Sequence, residues 1–131
     1  MTNPKDAPIT SWTDDELRRV GDAEELQLAS ARTDGSLSAY VTMWVVRVGD
    51  ALYVRSAHGP DNPWYRRAKA NGVGRIRAGG IERAVTFGEA AADTHAAIDA
   101  AYHHKYDRYG PKIVGTVVGA KAAAVTISLT P

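Results

Sequence analysis

The sequence contains no cysteine, which excludes a disulfide scaffold, a thiolate zinc site and a cysteine nucleophile together. A chain without thiols fits a reducing compartment, and the cytoplasm is the expected location. Long apolar runs are also missing. No segment approaches the roughly 20 consecutive apolar residues that a bilayer crossing needs, and Met1–Thr10 lacks the apolar stretch of a secretory signal. Neither membrane insertion nor secretion is expected. Net charge is close to nil, at +1 with 16 basic and 15 acidic residues, whereas nucleic-acid binding usually requires a marked basic excess. No nucleic-acid partner is expected either. The sequence has no Gly-x-Ser-x-Gly, no Walker loop and no His-Glu-x-x-His, so hydrolase and NTPase readings have nothing to rest on. His58, His95, His103 and His104 include no i, i+4 pair on a helix, and the adjacent His103 and His104 point to different helix faces, so no metal site is expected.

What remains is a chain of 131 residues, 44% hydrophobic and 24% charged, a composition that folds around one core. Residues 1–10, with Pro4 and Pro8, read as a flexible arm, and residues 11–131 as a single domain. Thr13-Asp14-Asp15-Glu16 is a capping box that starts a helix to about Asp22, with Trp12 and Leu17 placed to form a hydrophobic staple. From Leu26 the period becomes that of strands. Leu26–Ser30, the turn Thr33-Asp34-Gly35-Ser36, the run Ala39–Val48, the turn Gly49-Asp50 and the run Ala51–Ser56 predict three antiparallel strands. Asn62 as N-cap and Pro63 at the first helical position predict a helix to about Asn71, stopped by Gly72. The glycines at Gly72 and Gly74 read as a turn rather than a dinucleotide fingerprint. Val73–Arg77 and Ile81–Ala90 form a further hairpin around Gly79-Gly80. Asp93 or Thr94 caps a helix to about Tyr109, Gly110-Pro111 ends it, Lys112–Val118 suits a short helix, and Ala123–Leu129 alternates as a closing strand.

The expected fold class is α+β: a six-stranded antiparallel split β-barrel with flanking helices, which hides its sheet edges by closing on itself. A parallel βαβ arrangement would need helices between most strands, and the first three strands are joined by tight turns.

Charge is unevenly distributed along the chain. Asp14, Asp15, Glu16, Asp22, Glu24 and Glu25 crowd the N-terminal helix, whereas Arg55, Arg66, Arg67, Lys69, Arg75 and Arg77 face only Asp61. Arg55 and Ser56 end a strand beside a glycine-containing loop that leads into a helix N-terminus, where free N–H groups, the helix dipole and guanidinium forks suit a phosphate. The same residues also suit a capped helix carrying solvated arginines. Tyr65, Tyr102, Tyr106 and Tyr109 read as core or interface residues.

The succession of an acid-rich helix, Asp34-Gly35, Tyr40-Val41-Thr42-Met43-Trp44-Val45-Val46, Gly49-Asp50, Leu52-Tyr53-Val54-Arg55-Ser56 and Asn62-Pro63-Trp64-Tyr65-Arg66-Arg67 resembles the split-barrel flavin-binding superfamily. Within it the chain is similar to pyridoxamine-5′-phosphate-oxidase-like and deazaflavin-dependent nitroreductase-like proteins, over about residues 11 to 130. The resemblance implies a homodimer with FMN or the deazaflavin coenzyme in a groove and a small-molecule substrate. Thr42, Met43 and Trp44 would then run along the ring system, and Arg55, Ser56, Arg66, Arg67 and Lys69 would hold the phosphate. His58 and Trp64 complete the candidate cofactor contacts. His58-Gly59-Pro60-Asp61 replaces the Ser-Arg-Lys-like phosphate stretch of that family. No side chain stands out as a catalytic acid or base, which hydride chemistry carried by a cofactor seldom demands. Two further readings fit the same residues: a module that holds a phosphorylated ligand without turnover, and a cofactor-less dimeric scaffold.

Overall fold

The computed structural model describes residues 11–131; the arm expected over residues 1–10 lies outside them. Helix α1 (Asp14–Asp22) starts on the expected capping box, with the Thr13 hydroxyl accepting from Glu16 N and the Glu16 carboxylate accepting from Thr13 N. Trp12 and Leu17 share the main core, and the Trp12 indole N–H donates to the Leu129 carbonyl at 2.8 Å. The staple thus also ties the first helix to the last strand.

Seven strands follow rather than the expected six: β1 (Leu26–Ser30), β2 (Val41–Met43), β3 (Val46–Val48), β4 (Ala51–Arg55), β5 (Val73–Ala78), β6 (Ile81–Gly88) and β7 (Thr126–Thr130). They form one antiparallel sheet in the order β2-β1-β5-β6-β7-β4-β3. The extra strand has a physical cause. The run Ala39–Val48 bends at Trp44-Val45, so that its first half pairs with β1 (Thr42 opposite Gln27) and its second half with β4 (Val46 opposite Tyr53). The two margins of the sheet are consecutive pieces of one segment, and the sheet curls until they meet.

Helix α2 (Pro63–Asn71) crosses from β4 to β5, and Gly72 ends it in the left-handed region at φ 72°. Gly74, expected in a turn with Gly72, lies instead within β5, where a Cβ would collide with the Ala29 carbonyl oxygen and the Phe87 ring. The long helix expected up to Tyr109 is shorter. Helix α3 spans His95–Tyr106 between two single 3-10 turns, and neither Asp93 nor Thr94 caps it with a side chain. Short helices α4 (Pro111–Val114) and α5 (Ala120–Ala123) follow, the second lying where the closing strand was expected to begin.

Strand alternation divides the apolar residues into two cores. Val45, Leu52, Val54, Ile76, Val85, Ile127 and Leu129 face the barrel interior with α1 and α2. Val46 and Tyr53 face outward, onto Ile98, Tyr102 and Tyr106 of α3 and onto Val114 and Val117. That second core fixes the bend. The Tyr106 hydroxyl accepts from Val45 N at 3.2 Å and donates to the Glu24 carbonyl at 2.9 Å, and Lys105 Nζ donates to the Val45 carbonyl at 2.7 Å. Out of the ladder, the N–H and C=O of Val45 are thus satisfied by helix side chains.

Two tyrosines on α3 therefore respond oppositely to the same change. Tyr102 is fully buried and its hydroxyl has no hydrogen-bond partner among the described residues, so Tyr102→Phe removes a desolvated group and should leave stability within about 0.5 kcal/mol or raise it. Tyr106→Phe strips the buried Val45 N–H of its acceptor and should cost about 1–3 kcal/mol; urea unfolding of both variants checks the contrast.

Lys105 gives a pH signature. Burial outweighs the nearby Glu24 and Asp22 carboxylates and lowers its pKa to about 8. Below that pH the amine is charged both folded and unfolded, so the whole penalty of burying charge applies. Between pH 8 and about 10 the folded amine is neutral while the unfolded one still binds its proton, so stability rises with pH. Burial pushes the Tyr102 and Tyr106 phenols up, so both stay neutral across that window. Wild type should gain stability relative to Lys105→Gln between about pH 7.5 and 9.5, and denaturant midpoints at the two pH values measure it.

Candidate functional site

Strand β4 ends at Arg55, and the chain then turns through Ala57–Asn62 into α2. Facing that turn is the inner half of the bent run, Val41 to Trp44, and a third side comes from Ile113, Thr116 and Val117 after α3. Between these three segments lies a cleft of about 300 Å³. Its walls are Val41, Thr42, Met43, Trp44, Arg55, Ala57, His58, Asn62, Trp64, Ile113, Thr116 and Val117. Small-molecule sites have this character, being mostly apolar with a few convergent polar groups.

Trp44 owes its orientation to the second core. Its ring stacks on Tyr106 with centroids 4.1 Å apart and planes 6° from parallel, and Tyr109 lies at 5.4 Å. Tyr109 is itself held, since its hydroxyl donates to the Glu24 carboxylate, which also pairs with Arg108; these contacts keep the Glu24 carboxyl below its usual range. The cleft thus has a rigid aromatic wall whose rotamer is set by packing behind it. Trp64, 4% exposed, supplies a second indole from α2.

Of the expected site residues, Thr42, Met43, Trp44, Arg55, His58 and Trp64 line one cleft. Ser56, Arg66, Arg67 and Lys69 do not line it. Ser56 is 2% exposed and its hydroxyl donates to the Gly59 carbonyl at 2.6 Å, closing the loop upon itself. Arg66 is exposed, Lys69 lies 3.5 Å from the Glu89 carboxylate, and Arg67 is half-buried with its Nε unpartnered among the described residues. Of the cations expected to converge on one phosphate, only Arg55 lines the cleft.

Arg55 is the further surprise. It is 2% exposed, and its guanidinium contacts protein on every side: Nε donates to Thr126 Oγ1 at 2.8 Å, Nη1 to the Asp99 carboxylate and to the Val117 carbonyl at 2.8 Å, and Nη2 lies 3.4 Å from His95 Nδ1. It forms the floor of the cleft while its charge is compensated from behind.

Sequence reasoning missed Val41, Ala57, Asn62, Ile113, Thr116 and Val117. Asn62 occupies the N-cap position as expected, but its side chain makes no capping bond, which leaves the carboxamide available at the cleft rim. Ile113 could have been found from its setting, an apolar residue between Pro111 and Gly115 that ends up 51% exposed. Among the described residues no three His, Asp or Glu side chains gather where a metal ion could sit, and no helix is long and apolar enough to cross a membrane.

No curated protein matches the chain. Solved structures match its fold. An "F420-H2 Dependent Reductase (FDR-A)" is 14% identical with a TM-score of 0.60, covering 82% of this chain and 94% of its own. HutZ, the heme storage protein from Vibrio cholerae, is 14% identical with a TM-score of 0.60, covering 90% and 89%. An FAD-binding protein from Mesorhizobium loti is 19% identical with a TM-score of 0.55, covering 91% and 89%. These likenesses show the fold, an antiparallel split barrel with flanking helices. Residues 16–129 match the family model described as "Uncharacterized protein conserved in bacteria (DUF2255)", and the chain belongs to that family.

Proposed function

We propose that this chain binds a flavin-type cofactor, FMN or the deazaflavin coenzyme, in the cleft between β2 and α2, and that it acts as an oxidoreductase on a small organic substrate. The observation that carries the reading is the cleft itself. A flat, pre-oriented indole, a second indole, a thioether and two polar rim groups converge on about 300 Å³. A planar heterocycle gains from apolar contact and stacking there without any side chain having to reorder. The donor set fits such a group at both ends. The ring would lie along Thr42, Met43 and Trp44 over Arg55, and the anionic tail would leave past His58 and Asn62, where the first turn of α2 offers unbonded N–H groups.

The cofactor supplies hydride chemistry when bound. The chain's own part is to bind, orient and exclude water. No carboxylate lines the cleft among the described residues, which also favours a second reading, a carrier that holds the cofactor without turnover. Proteins of this fold whose descriptions name F420-H2, FAD and heme support a ligand of the flavin type in general. The working form is a cytoplasmic homodimer in which residues 11–131 act as one domain. A solved structure of this fold described as a domain-swapped dimer supports the dimer, as do Tyr109 and Ile113, 43% and 51% exposed beside the cleft.

Titration of purified protein with FMN and with the deazaflavin coenzyme tests the reading through cofactor absorbance and fluorescence. Trp44→Ala should weaken the bound coenzyme about tenfold, or about 1.4 kcal/mol, and His58→Ala should weaken FMN more than riboflavin, which lacks the phosphate. Failure of wild type to bind either coenzyme at high micromolar concentration would sink the proposal. Bound coenzyme that exchanges no electrons with NADPH or with a chemically reduced partner would decide for the carrier.

A further inference from the structure

The segment Gly115–Val125 forms one side of the cleft, yet much of it is loop and single helical turn. It crosses the molecule as a strap between α4 and β7. Its far end is held as it runs into β7, with Ser56 N donating to the Val125 carbonyl at 3.2 Å and the Tyr65 hydroxyl to the Ala124 carbonyl at 3.3 Å, but the backbone bonds made by 115–123 are local, such as Val117 N to the Val114 carbonyl at 3.0 Å and Ala123 N to the Gly119 carbonyl at 2.9 Å. Local bonds fold a strap but do not place it. What places the stretch up to Ala122 is the polar group beneath. Asp99 of α3 uses one carboxylate oxygen to accept from Arg55 and the other to accept from Gly119 N at 3.2 Å. Arg55 in turn donates to the Val117 carbonyl at 2.8 Å, and Thr126, which accepts from Arg55 Nε, donates to the Ala122 carbonyl at 3.1 Å. The strap is therefore gripped at Val117, Gly119 and Ala122 by a single connected network, and Thr116 and Val117 line the cleft from the first of these grips.

Burying a guanidinium is costly, and an ion pair in such a place contributes little net stability compared with apolar packing of the same volume. It contributes direction. The Arg55 side chain has no exposed surface, whereas Asp99 keeps 33% of its own, so the pair is locked at the arginine and reachable at the carboxylate. We infer that Asp99 is a positioning residue of the cleft: it touches nothing within the cleft but holds Arg55 and the 115–119 stretch in the arrangement that gives the cleft its width. It also neutralises the guanidinium beneath the cleft floor, so the floor carries no free charge, and the neutral ring of a ligand belongs there rather than its anionic tail. This rests on the proposed ligand class only for the choice of probe.

Native-state hydrogen exchange and riboflavin titration on Asp99→Asn, with Asp99→Glu and Thr126→Val beside it, test the inference. Asp99→Asn should speed exchange of the Gly119 amide and its neighbours at 116–118 about tenfold while the amides of β5 and β6 keep their wild-type rates, and riboflavin should bind about tenfold more weakly. Thr126→Val, which leaves the carboxylate in place, should change the 116–119 amides by less than threefold, and Asp99→Glu should recover part of the riboflavin affinity. Unchanged exchange over 116–119 in Asp99→Asn overturns the inference, as does equal acceleration across the whole sheet. If Asp99→Asn does not fold, the wild-type protein decides: a Gly119 amide that exchanges together with α3 supports the grip, and one that exchanges at the rate of an unstructured chain refutes it. Wild type that binds none of riboflavin, FMN and the deazaflavin coenzyme removes the cofactor reading and leaves the exchange result standing.

Discussion

The architecture depends on one backbone bend. At Trp44-Val45 the chain leaves the sheet, and the polar groups of Val45 are taken over by Tyr106 and Lys105 from a helix sixty residues further along. Without those partners the run 39–48 would have buried, unbonded backbone at its centre and would do better as a straight strand on one margin alone. With them, one segment can serve both margins. The same helix stacks Tyr106 against Trp44, so the contact that closes the barrel also fixes the aromatic wall of the cleft. Fold and site are not separable here, since a change that loosens α3 loosens both.

Much of this was legible in the sequence because local rules governed it. The capping box at Thr13, the proline-started helix at Pro63, the glycine stop at Gly72 and the Gly79-Gly80 hairpin form as their turn and cap chemistry requires. The antiparallel split barrel with flanking helices was legible too, and seven strands in place of six is a difference in one segment. The break at Trp44-Val45 was invisible because nothing local marks it: the run is β-branched and aromatic from end to end, and the decision is made by Tyr106, a contact between distant residues. Helix α5 escaped notice for a different reason: Ala120–Ala123 favours helix, but four residues are too few for a helical period to show, and the alternating run that follows reads as strand.

The site was legible in part and for a mixed reason. The family resemblance grouped Trp44 with Arg55 and His58, and all three line one cleft. Charge counting along the chain misjudged the rest. Arg66, Arg67 and Lys69 are close in sequence to Arg55, but a helix distributes consecutive side chains around its axis at about 100° each, so a run of cations is not a patch. Arg55 shows the opposite error. Its strand-end position suggested a group reaching for a ligand, whereas the carboxylate that claims it, Asp99, lies in an alanine-rich helix that gave no hint of pairing. Long-range electrostatic partners are set by topology, and only the folded chain reveals them.

The margins of the sheet have a further implication. β2 and β3 are three residues long apiece, and only Trp44 and Val45 separate them along the chain. A foreign strand looking for a row of unmet N–H and C=O groups finds neither the length nor the straightness to dock. A sheet of seven strands would ordinarily carry two exposed templates for fibrous self-association; in this molecule a two-residue kink disposes of both.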